Sequence, residues 1–199
     1  MKKNRKKKDS KLPINIGWIR DGLNQWLLVI LVLLFSIFSQ AQYEDNPLKG
    51  KKWTTVSGGV NTMDFVSWQG MMSYSSRGET VLTQTRLAYS QELIKAPDDS
   101  CAEHRNRLIE AGLLWGDGWG KKKWYVTGAI GFGLNVRMYC DHSVYESRYL
   151  TAVTLGIPAQ VEFGVMVSKK MGINVVAVGN WNFRAPYAGA HLGMFYLLK

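Results

Sequence analysis

Hydrophobic and polar positions alternate along most of the chain after residue 52, with the two-residue period typical of a β-strand. The clearest case is residues 149–168, YLTAVTLGIPAQVEFGVMVS, where one alternate set is nearly all apolar and the other is mostly small or polar. The run is far longer than an ordinary strand of about 5–6 residues. It exceeds the about 9–11 residues that cross a membrane at a tilt. Pro158 within it predicts a local bulge or kink, because proline cannot donate a ladder hydrogen bond.

Eight alternating segments of this kind follow one another, separated by turn signals. Short turns mostly alternate with longer loops, which is the pattern of outer-membrane barrels with periplasmic turns and outer loops. An even number of strands also lets an up-and-down barrel close with both termini at one end. The sequence therefore predicts an all-β fold, an eight-stranded antiparallel up-and-down transmembrane β-barrel, with 117–121 (DGWGK) as a turn. The predicted strands are 53–61, 65–75, 79–93, 105–116, 122–140, 149–168, 172–182 and 187–198.

The composition of the polar set decides which face meets lipid. This set is made of Gly, Asn, Gln, Ser and Thr with isolated charges, whereas a water-facing sheet surface would be rich in Lys and Glu. Such residues suit the interior of an eight-stranded barrel, which side chains can fill. The alternative is a soluble lipocalin-like lipid-binding barrel with the apolar face inside. Aromatic girdles are expected from Trp68, Tyr74, Tyr89, Trp115, Trp124, Tyr149, Trp181 and Tyr196.

The isolated charges of the polar set predict an ionic network inside the barrel. Ionised groups in a low-dielectric interior must pair, or each costs several kcal/mol. At least one arginine–carboxylate bridge is expected to cross the interior and to block free conduction. The residues of this interior charge network are Arg86, Glu92, Glu110, Arg137 and Glu162.

The N-terminal region has the organisation of an export signal. A basic segment precedes the apolar run LLVILVLLFSIF, and the small residues Ser39 and Ala41 follow it. The run is shorter than the about 20 residues that a spanning helix needs. We predict a signal peptide over 1–41, with an uncleaved anchor as the alternative, then a short periplasmic segment over 42–52 and the barrel domain over 53–199. Export to the cell outer membrane is the expected localisation.

The net charge of +10 is concentrated in the N-terminal region, where 1–41 hold eight Lys or Arg and two acids. No basic stripe interleaved with aromatics continues into the body, so no nucleic-acid partner is expected. In the predicted barrel, lysines fall on the rim with short turns, at Lys49, Lys51, Lys52, Lys121, Lys122, Lys123, Lys169, Lys170 and Lys199. Acidic residues fall on the other rim, at Asp64, Asp98, Asp99, Glu103, Asp141 and Glu146.

The last three segments also resemble a known family. The stretches TLGIPAQVEFGVMVSKKMGINVVAVGNWN and YAGAHLGMFYLL resemble the C-terminal half of small outer-membrane β-barrel proteins of Gram-negative bacteria, many of them uncharacterised. The matching residues are Gly156, Ile157 and Pro158, then Asn180 and Asn182, then Gly189 and Gly193. The last strand is similar to the assembly signal of that superfamily, which implies insertion by the barrel-assembly machinery among outer-membrane lipids and lipopolysaccharide. The residues that match the signal are His191, Gly193, Tyr196 and Leu198.

The sequence contains few candidate catalytic residues. Its histidines are His104, His142 and His191, and no metal-ligand spacing or phosphate-binding loop is present. We expect no enzyme, no cofactor and no metal, and a structural or surface-interaction role through the outer loops. The alternatives are a narrow transport pore and an outer-leaflet lipid-modifying enzyme using His142 and Ser143 beside Glu146.

The two cysteines both fall on the outer side of the predicted barrel. Cys101 lies in the loop before the fourth predicted strand, and Cys140 ends the fifth. Because the outer side is an oxidising compartment, a disulfide between Cys101 and Cys140 is predicted, with two free thiols as the alternative.

Overall fold

A computed structural model describes residues 48–62, 66–93, 105–141, 148–184 and 186–198. Within them, eight antiparallel strands form one closed barrel in which each strand pairs with its neighbour along the chain and the first pairs with the last. The predicted eight-stranded up-and-down fold is confirmed. The strands are β1 Lys52–Thr62, β2 Val66–Arg77, β3 Leu82–Glu92, β4 Arg107–Lys121, β5 Trp124–Asp141, β6 Arg148–Met166, β7 Met171–Trp181 and β8 Tyr187–Leu198.

The pairing register fixes the tilt of the strands. Following paired residues once around the barrel from Lys52 leads back to β1 at Thr62, ten residues along. With a rise of about 3.3 Å per residue and a strand spacing of about 4.8 Å, this displacement gives a tilt of about 40°, a usual value for barrels. The residues of this circuit are Lys52, Ser76, Thr83, Trp115, Ile130, Ala159, Gly179, Ala188 and Thr62.

The two ends of the barrel differ in their connections. The short-turn end carries the connections 78–81, 122–123 and 167–170 together with the start of β1 and the end of β8. The loop end carries the other four connections. There, β5 and β6 project as a hairpin, because β7 ends at Trp181 opposite Ile157, so residues 148–156 of β6 pair with β5 but not with β7. The great length of β6 therefore has two parts, one in the barrel wall and one beyond it.

The apolar set of each strand lies on the outer surface of the barrel. Phe132 is 71% exposed and Leu155 is 77% exposed, and similar side chains project from all eight strands. The small and polar set lies inside. This is the orientation of a barrel that faces lipid, so the lipocalin-like alternative, which needs the apolar set inside, is wrong. No helix among the described residues is long and apolar enough to span a membrane.

Two predicted boundaries differ from the structure by three residues or more, both at the short-turn end. The segment 117–121 is not a turn, because β4 continues through it and the chain reverses at Lys122, which has a φ of 47°, and Lys123. Gly118 serves packing instead, since a Cβ there would lie 2.5 Å from the Thr127 side chain. The third strand begins at Leu82 rather than at residue 79, because residues 78–81 form the turn before it.

Of the bulge or kink predicted at Pro158, the structure shows no bulge. The register between β5 and β6 is the same on both sides of the proline, and only the pairs opposite Pro158 and Ile157 are missing. Its ring instead packs against two glycines of neighbouring strands, since a Cβ on Gly112 or Gly133 would lie 3.2 or 3.3 Å from Pro158 Cγ. The missing side chains make room for the ring without an extra residue.

The chain before β1 folds into the short-turn end of the barrel. Lys51 N donates to Leu48 O at 2.9 Å, and Arg77 N donates to Lys51 O at 3.0 Å. Gly50 has a φ of 67°, which glycine adopts at little cost. This turn places Leu48 inside the barrel end, fully buried. The predicted signal peptide over 1–41 lies outside the described residues.

Candidate functional site: the barrel interior and its two ends

A buried ion pair lies in the barrel interior, on the wall formed by β3 and β4. Arg86 Nε donates to Glu110 Oε1 at 2.7 Å, Arg86 Nη2 contacts the same oxygen, and neither side chain is exposed. Arg86 pairs across the strands with Gly112, two residues along β4 from Glu110. Because Gly112 has no side chain, the guanidinium has room to reach the carboxylate. The pair therefore follows from the register of the two strands.

The ion pair is joined to the opposite wall of the barrel. Tyr187 of β8 donates its hydroxyl to Glu110 Oε2 at 2.6 Å, and Asn180 of β7 donates to the same carboxylate. Arg86 Nη1 also donates to the Ala159 carbonyl of β6 at 3.2 Å. Side chains from β3, β4, β7 and β8 thus meet across the interior. This cluster crosses the lumen; we call Arg86, Glu110, Asn180 and Tyr187 the crossing network.

A second carboxylate, Glu162 on β6, has a separate set of partners. Asn174 Nδ2 donates to its Oε1 at 2.6 Å, and Tyr125 donates its hydroxyl to the same oxygen. Gln160 Nε2 donates to Oε2 at 3.4 Å. Glu162 is fully buried and is held by amide and hydroxyl donors. A buried carboxyl group needs such hydrogen bonds when it lacks an oppositely charged partner.

An apolar cluster closes the short-turn end of the interior. Its rings lie over glycines: a Cβ on Gly164 would lie 2.3 Å from the Tyr125 ring, and one on Gly172 would lie 2.2 Å from the Phe195 ring. The two rings contact each other edge to face with centroids 5.1 Å apart. We call this cluster the apolar floor; it contains Leu48, Trp53, Leu82, Leu114, Tyr125, Ala129 and Phe195.

The other two predicted network residues lie at the loop end. Glu92 accepts from the side-chain amide of Asn106 at 3.0 Å. Arg137 Nη1 donates to the Arg184 carbonyl at 2.8 Å, and its guanidinium carbon lies 5.0 Å from the centre of the Tyr139 ring. The structure therefore brings Arg86 and Glu110 together, while Glu92, Glu162 and Arg137 each have other partners.

A cavity of about 230 Å³ opens at the loop end of the lumen. Arg137 and Arg184 both contribute to its lining, so this cavity is basic, although the sequence places several acidic residues on the same rim. The cavity is smaller than the about 300–1,000 Å³ of sites that enclose a drug-sized ligand. It suits a small anionic group. Its lining residues are Leu108, Arg137, Tyr139, Ala152, Thr154 and Arg184.

The predicted disulfide and the alternative catalytic residues fall largely outside the described residues. Cys140 is disulfide-bonded, and Cys101, the other cysteine of the sequence, lies outside the described residues, so the pairing stays a prediction. His142, Ser143 and Glu146 lie outside them as well. Within the described part of the chain, no cluster of His, Cys, Asp and Glu could hold a metal ion.

The residues of the predicted assembly signal occupy both faces of β8. His191 and Gly193 point inward, where Ser57 Oγ lies 3.3 Å from His191 Nδ1. Tyr196 lies on the outer face and is 42% exposed, and Leu198 shares that face. The alternation is the one the signal requires. Recognition by the assembly machinery stays a prediction.

Two interior features do not follow from the sequence pattern. An ion pair joins Arg77 to Asp117 at 2.8 Å near the short-turn end, where the pattern predicts a turn at Asp117. Tyr187 joins the crossing network, although the charge pattern does not include it. The alternation does place Arg77 and Tyr187 in the inward sets of β2 and β8. The partners of each residue depend on the register between strands around the barrel. The sequence pattern of a single strand does not reveal that register.

Comparisons with known proteins agree on the fold. No protein-family model and no curated protein matches the chain. Among solved structures, Neisserial surface protein A aligns with a TM-score of 0.56 and 9% identity over 73% of this chain and 95% of that chain. Ail, the attachment invasion locus protein of Yersinia pestis, aligns with a TM-score of 0.53 and 9% identity over 75% and 99%.

The N-terminal β-barrel domain of Pseudomonas aeruginosa OprF also aligns, with a TM-score of 0.50 and 8% identity over 75% of this chain and 98% of that domain. The structural neighbours are small outer-membrane eight-stranded β-barrels, and the resemblance inferred from the last strands is confirmed at the level of the fold. At these identities the likeness concerns the fold alone.

Proposed function

We propose that this protein is an integral outer-membrane β-barrel with an obstructed lumen that acts, without enzymatic chemistry, through a binding surface at its loop end. The apolar outer face of all eight strands supports the membrane location. The predicted signal peptide over 1–41 and the match of β8 to the assembly signal support export and insertion by the barrel-assembly machinery. The single observation that carries the proposal is the crossing network.

The obstruction of the lumen has two independent parts. The crossing network joins opposite walls through hydrogen bonds to one carboxylate. The apolar floor fills the short-turn end with fully buried rings and leucines. Eight-stranded barrels are just wide enough for side chains to fill them. A solute would have to displace both the polar and the apolar obstruction, which argues against the narrow transport pore.

The loop end offers the surface for binding. The β5–β6 hairpin projects there, and the basic cavity with Arg137 and Arg184 opens beside it. Phe183, next to Arg184, is 99% exposed, and Trp181 is 58% exposed. Arginine favours bidentate contacts with phosphate, and tryptophan is enriched at the membrane–water interface. We therefore propose lipopolysaccharide, whose phosphates lie in the outer leaflet, as the partner of this surface.

The lumen is tested by planar-bilayer conductance of the purified mature protein, after fractionation of inner and outer membranes and a comparison of gel mobility with and without boiling. We expect a heat-shifted band in the outer membrane and no stable large conductance steps. Stable large steps would contradict the obstructed lumen. Recovery as a soluble periplasmic protein would contradict the membrane location.

The binding surface is tested with Arg184→Gln, which removes an exposed cation but keeps the backbone carbonyl that Arg137 contacts. We expect this variant to bind lipopolysaccharide several-fold more weakly in detergent, since a basic residue near an anionic surface contributes about 1 kcal/mol. The matched control is Arg107→Gln, which removes one exposed cation outside the cavity lining. Equal losses in the two variants would reject a specific surface at the cavity.

A further inference from the structure

A second charged surface lies at the opposite end of the barrel. We propose that the lysines of the short-turn end form a binding rim for the anionic headgroups of phospholipids in the leaflet that this end faces. In the proposed orientation this is the periplasmic leaflet. The inference goes beyond the proposed function, which concerns the loop end alone.

The fold gathers eight exposed lysines at this end. Three lie in or beside the segment that leads into β1, three at the β4–β5 turn, and two at the β6–β7 turn. Because β1 pairs with β8, these segments occupy neighbouring parts of one rim. We call this set the lysine rim; it contains Lys49, Lys51, Lys52, Lys121, Lys122, Lys123, Lys169 and Lys170.

The charge of the lysine rim is not neutralised within the described part of the chain. None of its members forms an ion pair with a described residue. Asp117, an acidic residue near this end, is paired with Arg77. Glu79 lies in the β2–β3 turn and is exposed. The rim therefore presents its positive charge to its surroundings, where an anionic partner can meet it.

The depth of the rim matches the headgroup layer of a membrane. Trp119 and Trp124 flank the β4–β5 turn and contact each other edge to face, with ring centroids 4.6 Å apart. Tyr196 lies on the outer face near the end of β8 and is 42% exposed. Trp and Tyr mark the membrane–water interface. The lysines that follow these aromatic residues directly in the turn therefore lie at the level of lipid phosphates.

The chemistry of lysine and the arrangement of the rim favour lipid as the partner. An ammonium group is a compact point charge that needs no fixed geometry to meet a phosphate. Its long apolar stem can lie along the barrel wall while the charge reaches the headgroups. The lysines are spread along an edge that lipid surrounds, at three separate segments. Many mobile phosphates can contact such an edge at once.

The test uses native mass spectrometry of the folded protein in a non-ionic detergent with added phosphatidylglycerol, and with phosphatidylcholine as the zwitterionic comparison. The variant is Lys169→Gln with Lys170→Gln, which keeps the backbone bond from Leu197 N to Lys170 O. The matched control is Arg105→Gln with Arg107→Gln, two exposed cations at the loop end. We expect roughly thirtyfold weaker retention of phosphatidylglycerol in the lysine variant and unchanged retention in the control.

Each outcome decides the proposal. Selective loss in the lysine variant, weakened by added salt in the wild type because salt screens exposed charges, would support it. Equal retention by the lysine variant and the wild type would overturn it, and so would an equal loss in both variants. Retention of phosphatidylcholine as strong as that of phosphatidylglycerol would overturn it as well. Binding to isolated peptidoglycan without retention of phosphatidylglycerol would replace the lipid with a cell-wall partner.

Discussion

Replacing one member of the buried ion pair between Arg86 and Glu110 should destabilise the barrel strongly. Replacing both members should lower the free energy of unfolding by less than the sum of the two single losses. The perturbation is Arg86→Met, which keeps much of the side-chain volume and removes the charge and the donors. Glu110 then remains buried as an uncompensated carboxylate, with hydrogen bonds from Tyr187 and Asn180. Glu110→Gln is the converse change, which leaves the Arg86 cation without its counter-ion.

The expected magnitude follows from the burial of both partners. Neither side chain is exposed, and removal of one member of a fully buried pair costs about 3–5 kcal/mol. The double variant leaves no charge at this pair, and the amide introduced by Glu110→Gln would still offer an oxygen to Tyr187. A neutral replacement of a buried pair is often tolerated. We therefore expect the double variant to be at least about 2 kcal/mol more stable than Arg86→Met alone.

The assay is equilibrium urea unfolding of the barrel in lipid vesicles, followed by tryptophan fluorescence, for the wild type, both single variants and the double variant. Urea is uncharged and therefore leaves the ion pair unscreened. Arg107→Met is the control: it makes the same change at an exposed site and should stay within about 0.5 kcal/mol of wild type. Additive losses in the double variant would refute the coupling between Arg86 and Glu110.

Three further predictions concern packing and covalent structure. Gly164→Ala, which puts a carbon 2.3 Å from the tyrosine ring of β5, should cost about 1–3 kcal/mol in urea unfolding. Gly58→Ala, whose added carbon has its nearest neighbour at 3.8 Å, should leave the midpoint nearly unchanged, and equal effects would contradict the packing argument. Leu48→Ala should lower the free energy of unfolding by about 2–5 kcal/mol, and Leu48→Met by less than about 1.5 kcal/mol. An unshifted midpoint in the alanine variant would show that the turn before β1 does not support the barrel. Alkylation followed by non-reducing mass spectrometry should leave Cys101 and Cys140 unlabelled, and two labelled thiols in the native protein would exclude their bridge.

The sequence predicted what depends on neighbouring residues along one strand. Alternation is local, so the eight strands and the assignment of the small polar set to the interior follow from it directly. The turn predicted at 117–121 is wrong because glycine occurs both in turns and at tightly packed positions within strands. An Asp-Gly dipeptide usually marks a hairpin turn, but Gly118 lies in β4, where the Thr127 side chain fills the space beside it. The tight packing partner comes from the next strand.

The composition of the crossing network required information that no single strand contains. Arg86 and Glu110 meet because the register of β3 and β4 places them diagonally across a glycine. Tyr187 and Asn180 join them only because the ten-residue displacement around the barrel brings β7 and β8 to the same level. Arg137 carries the same charge as Arg86 and shares the inward alternation, yet it lies at the loop end and contacts a backbone carbonyl. Charge and alternation along one strand predict which charged residues lie inside the barrel. The register between strands determines which of them form ion pairs.

The two obstructions of the lumen also explain where function should be sought. They differ in chemistry, since one is a hydrogen-bonded ion pair and the other is a cluster of rings and leucines. A substitution that loosens either one leaves the other in place. Interior substitutions should therefore lower stability before they raise conductance. If Arg86→Met produced stable conductance steps while Leu48 and the apolar floor were intact, the floor would not close the barrel, and a transport role would replace the binding that we propose at the two ends.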